Sequence, residues 1–226
     1  AKLYYAHQEV AILKILIMKP LKNIYLLLFF VGFPFILLSQ PKKTHKIFSQ
    51  ESKILVISGH PDLEKSNANK IILEKLEQHY GNQISIRLLD KLYPDYQIDI
   101  NAEQEAIKNA DFIILQFPFY WYSTPAILKK WIDDVLYDYF PGNKLSGEFK
   151  DKVLIASVTI GGSEKRYSPP YKTVETYLIP LQETFEIIGA QWVSPVYSFG
   201  AVPSNKKLSE TAEKHFVKLT NLIMRQ

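Results

Sequence analysis

The chain has 226 residues, 47% of them hydrophobic and 22% charged, a composition that can bury a full core in one or two domains. It holds no cysteine, which excludes disulfides, thiolate nucleophiles, iron–sulfur clusters, cysteine-ligated zinc and a lipid-bearing cysteine anchor. The net charge of +4 is unevenly placed. Residues 1–50 hold seven lysines and one acid, Glu9, whereas the remainder carries 20 basic and 22 acidic side chains, so the basic balance is no footprint of nucleic-acid binding.

Residues 1–50 read as a segment of their own, ahead of a globular body over 51–226. Ala1 occupies the first position and Met18 is an internal candidate start. Lys19 and Lys22 follow it, and then the uncharged run IYLLLFFVGFPFILL at 24–38. A positive stretch before an apolar one matches the first two regions of a signal peptide. At about 1.5 Å per residue the run covers roughly 22 Å, short of the roughly 30 Å hydrocarbon core. Gly32 and Pro34 weaken it as a spanning helix, and Leu37 with Ser39 makes a poor cleavage site. Three readings stand open: an export or anchor segment over 18–40, a mistranslated upstream region, or an apolar helix docked on the body.

From Lys53 the pattern is regular. KILVIS (53–58) predicts a buried strand, and Ile71, Ile72, Leu73 and Leu76 predict a helix over 66–80. ISIRLLD (84–90) is a second strand. Asn101 with Gln104 three residues on reads as a capping box opening a helix to about Asn109. DFIILQF (111–117) is a third strand with a continuous apolar run, as in a parallel sheet covered on both faces. Thr124-Pro125 predicts an N-cap and first helical position, with the helix running to Tyr137. KVLIASVT (152–159) is a fourth strand. A helix over 172–188 ended by Gly189, a fifth strand QWVSPVYSF (191–199) and a helix over 205–225 complete the chain. Five alternations of strand and helix predict right-handed βαβ units in a doubly wound parallel sheet. Ligands of such sheets sit beyond the carboxyl ends of the strands.

Three of the loops at those ends carry candidate chemistry. SGHPDLEKSNANK (58–70) lacks both a dinucleotide-binding glycine pattern and a phosphate-loop lysine. It ends in Ser66, Asn67 and Asn69 at a helix N-terminus, where free N–H groups and polar side chains suit a phosphate, with His60 in reach; the plainer reading is a helix cap and a loop histidine. FPFYWYSTP (117–125) sets four aromatics in a row, suited to flank a planar heterocycle or to plug the sheet end. TIGGSEKRY (159–167) contains Gly161-Gly162, which let backbone pass close to a ligand or merely turn the chain. The coincidence of all three at strand C-termini favours a planar cofactor bearing phosphate. No metal ligand set is assigned.

These residues carry a resemblance. The chain from Lys53 to about Gly200 resembles the flavodoxin-like NAD(P)H:quinone oxidoreductases, through the signature QFP-x-x-W-Y-x-x-P-A-I-L-K-x-W. LYPDYQIDINAEQEAIKNADFIILQFPFYWYSTPAILKKWIDDVL (92–136) is particularly similar to the quinone-reductase ancillary subunits of glutathione-regulated potassium-efflux systems. The resemblance implies a five-stranded sheet of order 2-1-3-4-5 and a flavin held by His60, Ser66, Asn67, Ala68 and Asn69 at its phosphate end. Phe119, Tyr120, Trp121 and Tyr122 match the loop flanking the flavin ring, and Thr159, Ile160, Gly161 and Gly162 the second loop, with Ile160 where relatives often carry Thr. FMN is expected rather than FAD, because no second nucleotide motif is present to hold an adenylate half.

The implied activity is a ping-pong hydride transfer from NAD(P)H through flavin to a quinone. Tyr167 stands at the position of a tyrosine that assists it in larger relatives. Thr173 stands where their histidine would be, so Tyr167 acts alone or solvent supplies the protons. The resemblance also implies a homodimer, a membrane antiporter partner and a cytoplasmic place, peripheral to the inner face of the membrane. The alternatives are a regulatory antiporter subunit with little turnover and an azoreductase on the same scaffold.

Overall fold

In the computed structural model, residues 47–226 are described. The readings placed on 1–50, including the apolar run 24–38 and the start at Met18, lie outside the described residues except at their last four positions.

Six strands among the described residues form one sheet: β1 (Ile54–Ser58), β2 (Ile84–Leu88), β3 (Phe112–Pro118), β4 (Val153–Ile160), β5 (Gln191–Trp192) and β6 (Val196–Phe199). Its order is β2-β1-β3-β4-β5, with β6 also pairing β4, and every pairing is parallel. The expected 2-1-3-4-5 order is therefore present. The expected fifth strand is broken in two, since Pro195 has no N–H to give the ladder. Among the described residues the helices are α1 (Asn67–Tyr80), α2 (Leu89–Leu92), α3 (Ile100–Lys108), α4 (Ala126–Val135), α5 (Val174–Ile187) and α6 (Leu208–Ile223). No helix among these residues is long and apolar enough to cross a membrane.

Alternation along each strand sends side chains to two cores. Leu55, Ile57, Ile113, Leu115, Leu154 and Ala156 pack with α3, α4 and α5, whose Ile107, Leu128, Trp131 and Phe185 are fully buried. Ile54, Val56, Phe112, Ile114, Val153 and Ile155 pack with α1 and α6 through Ile72, Leu76, Leu219 and Ile223. Covering both faces is what makes β1, β3 and β4 predominantly apolar, with Ser58, Gln116, Ser157 and Thr159 as their polar members.

Two helix starts differ from expectation. The α3 cap is Asp99, whose Oδ1 accepts from Ala102 N–H at 3.0 Å, and not Asn101; Gln104 turns inward to Val135 O and Asp138 instead of closing a capping box. The α4 helix opens at Ala126 with Pro125 as its cap residue, one position later than expected from Thr124-Pro125, and ends at Val135 rather than Tyr137. The phosphate-type loop is set tightly against α4. A Cβ on Gly59 would meet Leu128 Cβ at 2.7 Å, so only glycine lets β1 leave the sheet at this point.

Candidate functional site

A cleft of about 380 Å³ opens at the carboxyl ends of β1, β3 and β4, within the size range of small-molecule sites. Its walls include His60, Ser66 through Asn69, Phe119, Tyr120, Thr159 through Gly162 and Tyr167. These are twelve of the fourteen residues singled out above. Parallel topology makes the coincidence, because it delivers every strand's outgoing loop to the same edge.

At one end stands the α1 N-terminus. Ser66 is its cap: Ser66 Oγ accepts from Asn69 N–H at 3.2 Å and from Asn69 Nδ2 at 2.9 Å. Asn69 Nδ2 also donates to Thr159 Oγ1 at 2.9 Å. The cap reading and the ligand reading are thus compatible, for Ser66 Oγ accepts inward while its own hydrogen has no acceptor among the described residues. The same is true of the Asn67 and Ala68 N–H groups, orphan donors of a first helical turn. His60 is buried. Asp62 N–H donates to its Nδ1 at 3.1 Å, which leaves Nε2–H as the outward donor. Burial lowers its pKa, against smaller raising effects of Asp90 and Asp62, so the ring is neutral at pH 7.

At the other end the walls are flat. Phe119 N–H donates to Thr159 O at 2.8 Å, tying the two ring-flanking loops together. A Cβ on Gly161 would come within 3.1 Å of Val202 Cγ1, so this loop runs close to the Val202 side chain after β6. Gly161 and Gly162 N–H groups have no acceptor among the described residues. Tyr167 closes the edge against Phe119 and Phe199, with ring centroids 6.0 and 5.6 Å away. Burial, then the neighbouring Tyr122 and Tyr177, push its phenol pKa up.

Trp121 and Tyr122 do not line the cleft. Tyr120 and Ser123 exchange backbone hydrogen bonds of 3.1 and 3.0 Å around a two-residue turn, with φ of 49° at Trp121 and 65° at Tyr122. Two bulky residues in the left-handed region store about 1–3 kcal/mol each. The reversal throws Trp121 outward, 93% exposed. Tyr122 stacks on Tyr177 at 4.8 Å and lines a separate cavity of about 410 Å³.

Four wall residues escaped the sequence reading: Ala201, Val202, Pro203 and Leu208. They follow β6, and the rule applied to the other strand ends would have found them. Thr173, where the resemblance implied a histidine in larger relatives, caps α5.

Comparison with known proteins gives concordant results. Residues 52–222 match the family described as having the flavodoxin-like fold. The ancillary protein KefF of a glutathione-regulated potassium-efflux system, from an Enterobacter species, is 42% identical over 63% of this chain and 80% of its own. General stress protein 14 of Bacillus subtilis is 36% identical over 73% of this chain and 99% of its own. The crystal structure of general stress protein 14 from Treponema denticola, in complex with FMN, superposes with a TM-score of 0.68 at 25% identity, over 75% of this chain and 99% of that one.

Proposed function

This chain belongs to the flavodoxin-like fold family, and from that membership we propose that it is an FMN-dependent NAD(P)H:quinone oxidoreductase. The observation that carries the reading is the division of one cleft into two chemistries. Unpaired O–H and N–H donors gather at a helix N-terminus, and an aromatic and glycine-lined slot continues from them.

The residues fit FMN. Ser66 O–H, Thr159 O–H and the Asn67 and Ala68 N–H groups would hold its phosphate, favoured by the helix dipole. Phe119 and Tyr120 would cover one side of the ring and Thr159 through Gly162 the other. Bound there, FMN supplies hydride chemistry between a nicotinamide and a quinone. The free N–H groups of Gly161 and Gly162 would stabilise negative charge developing at the ring edge. Tyr167, with its raised pKa, is a phenol that holds its proton at neutral pH and could lend it to a quinone as that quinone is reduced. The partners that follow are NAD(P)H, a quinone and a second copy of this chain.

The similarity to an ancillary protein of a potassium-efflux system favours a second reading on the same site, a regulatory partner of a membrane antiporter. The visible spectrum of the purified protein, with mass spectrometry of the released chromophore, tests FMN. NAD(P)H oxidation with soluble quinones and with azo dyes tests the reaction. FMN uptake with quinone turnover is expected. Tight uptake of FAD with none of FMN refutes the proposal, and FMN uptake without turnover moves the balance to the regulatory reading.

A further inference from the structure

A row of polar side chains crosses the sheet on the face covered by α1 and α6. Strand register places Ser58 beside Gln116 and Gln116 beside Ser157. Their same-face neighbours one pleat back are Val56, Ile114 and Ile155. Gln116 and Ser157 are wholly buried, so each must find partners inside the protein.

The partners form one chain. Ser157 Oγ donates to Gln116 Oε1 at 2.5 Å, and Gln116 Nε2 donates to Asn69 Oδ1 at 2.7 Å. Asn69 Nδ2 donates to Ser66 Oγ and Thr159 Oγ1 at the cleft wall. On the far side His215 Nε2 lies 2.7 Å from Ser157 Oγ, and His215 Nδ1 lies 3.1 Å from Ser198 Oγ. Ser58 takes no part, its Oγ being buried without a partner among the described residues.

The donors decide the histidine tautomer. A hydroxyl has one hydrogen, and Ser157 gives its own to Gln116. His215 must therefore donate to Ser157 from Nε2 and accept from Ser198 at Nδ1. Each link then passes its hydrogen toward the cleft, and the chain ends on the Ser66 and Thr159 hydroxyls, whose own hydrogens have no acceptor among the described residues. His215 is 1% exposed. Burial chiefly, and Lys218 in lesser part, hold its pKa at about 3, so the ring stays neutral. A separate groove on the other side of the ring is lined by Lys214 and Lys218 from α6, Glu175 from α5 and Glu164 from the turn after β4.

We propose that His215 and Ser157 are positioning residues of the cleft: as an Nε2–H donor at the head of a buried chain, His215 orients the Ser66 and Thr159 hydroxyls outward to grip an anionic ligand group. The inference rests on the proposed function only for the identity of that ligand, FMN. Reversal of the chain would turn both amides, place the proton on Nδ1 and point the hydroxyls inward, away from a phosphate.

The test uses the full chain labelled with ¹⁵N at histidine, unliganded, with inorganic phosphate and with FMN. Long-range proton–nitrogen spectra read the His215 tautomer directly. The expected result is Nε2–H with a bare Nδ1 in the loaded states. An Nδ1–H or cationic ring there overturns the proposal. In parallel, FMN dissociation constants are read from flavin fluorescence quenching. Loss of one hydrogen-bond link is worth up to about tenfold in affinity. His215→Phe, which keeps a ring but no donor, should weaken FMN by about tenfold, and His215→Gln, whose amide N–H can replace Nε2–H, should recover most of it. Equal affinity of folded His215→Phe and wild type overturns the proposal. Should that variant not fold, Ser157→Ala takes its place with the same expected loss. If wild type takes up no FMN the proposed function fails, while the tautomer in the phosphate-loaded chain still decides the positioning role.

Discussion

Single atoms at the cleft decide what it can hold. Ser66 Oγ accepts from its own helix and keeps one hydrogen for a ligand, so its replacement by a carboxylate separates a cap from a binding group. Aspartate caps a helix as well as serine does, but beside a phosphate it removes a charge-assisted hydrogen bond worth about 1.5–3 kcal/mol and adds repulsion. Ser66→Asp should therefore leave the melting temperature nearly unchanged and weaken FMN at least tenfold, read by fluorescence titration. Unchanged affinity would reduce Ser66 to a helix cap. In the proposed reaction Tyr167 would bear on turnover more than on binding. It stands at the cleft edge among four aromatic rings, and Thr173, capping α5, gives it no histidine to work with. General acid help typically amounts to about 10²–10⁴-fold. Tyr167→Phe should slow quinone reduction by less than about 10²-fold with FMN retained, measured by stopped flow. A wild-type rate would make Tyr167 a rim residue.

Between elements, a second buried polar group holds the sheet edge to its helices. Glu103 of α3 is fully buried. Its Oε1 accepts from Tyr93 O–H at 2.6 Å and from Arg87 Nη2 at 2.6 Å, and its Oε2 from Trp131 Nε1 at 2.9 Å. One carboxylate thus joins β2, α3 and α4. Burial first, and the carboxylate next, push the Tyr93 phenol up to about 12. Removing one member of such a group strands the others, at about 3–5 kcal/mol for fully buried pairs. Arg87 keeps some access to water, its side chain 24% exposed, which places Glu103→Ala near the lower end, about 3 kcal/mol. Urea denaturation should show that loss, with FMN affinity little changed because the group lies apart from the cleft wall. A loss under about 1 kcal/mol would mean that the surroundings collapse onto the gap.

For the whole molecule, the polar chain makes stability depend on pH. His215 has its pKa lowered from 6.5 to about 3. Between those values the unfolded chain binds a proton that the folded chain refuses, so stability falls as pH drops below about 6.5, by about 1.4 kcal/mol per pH unit. His60, also lowered by burial, acts in the same direction. Urea denaturation at pH 6 and pH 5 should show wild type losing about 1.2 kcal/mol more than His215→Gln over that step. Parallel losses would mean that the ring gains its proton without unfolding. Much of this molecule is legible in its residues. Strand and helix alternation, burial on both sheet faces and the meeting of loops 58–70, 117–125 and 159–167 follow from periodicity and from the rule that parallel strands deliver their loops to one edge. The α3 start sits where Asp99 and Asn101 are both residues of cap type, and only the backbone chooses Asp99; the α4 start falls on Pro125, which makes no side-chain cap bond. The outward turn of Trp121 comes from two positive φ angles that no aromatic sequence announces. The buried chain was hidden for a deeper reason. Its links join residues 47, 41 and 58 positions apart. Gln116 and Ser157 each sit inside an apolar run, where periodicity reports only that a segment is buried. Which polar groups then meet, and which way their hydrogens point, is set by strand register and by the single hydrogen each hydroxyl can give. That information exists only once the strands are side by side.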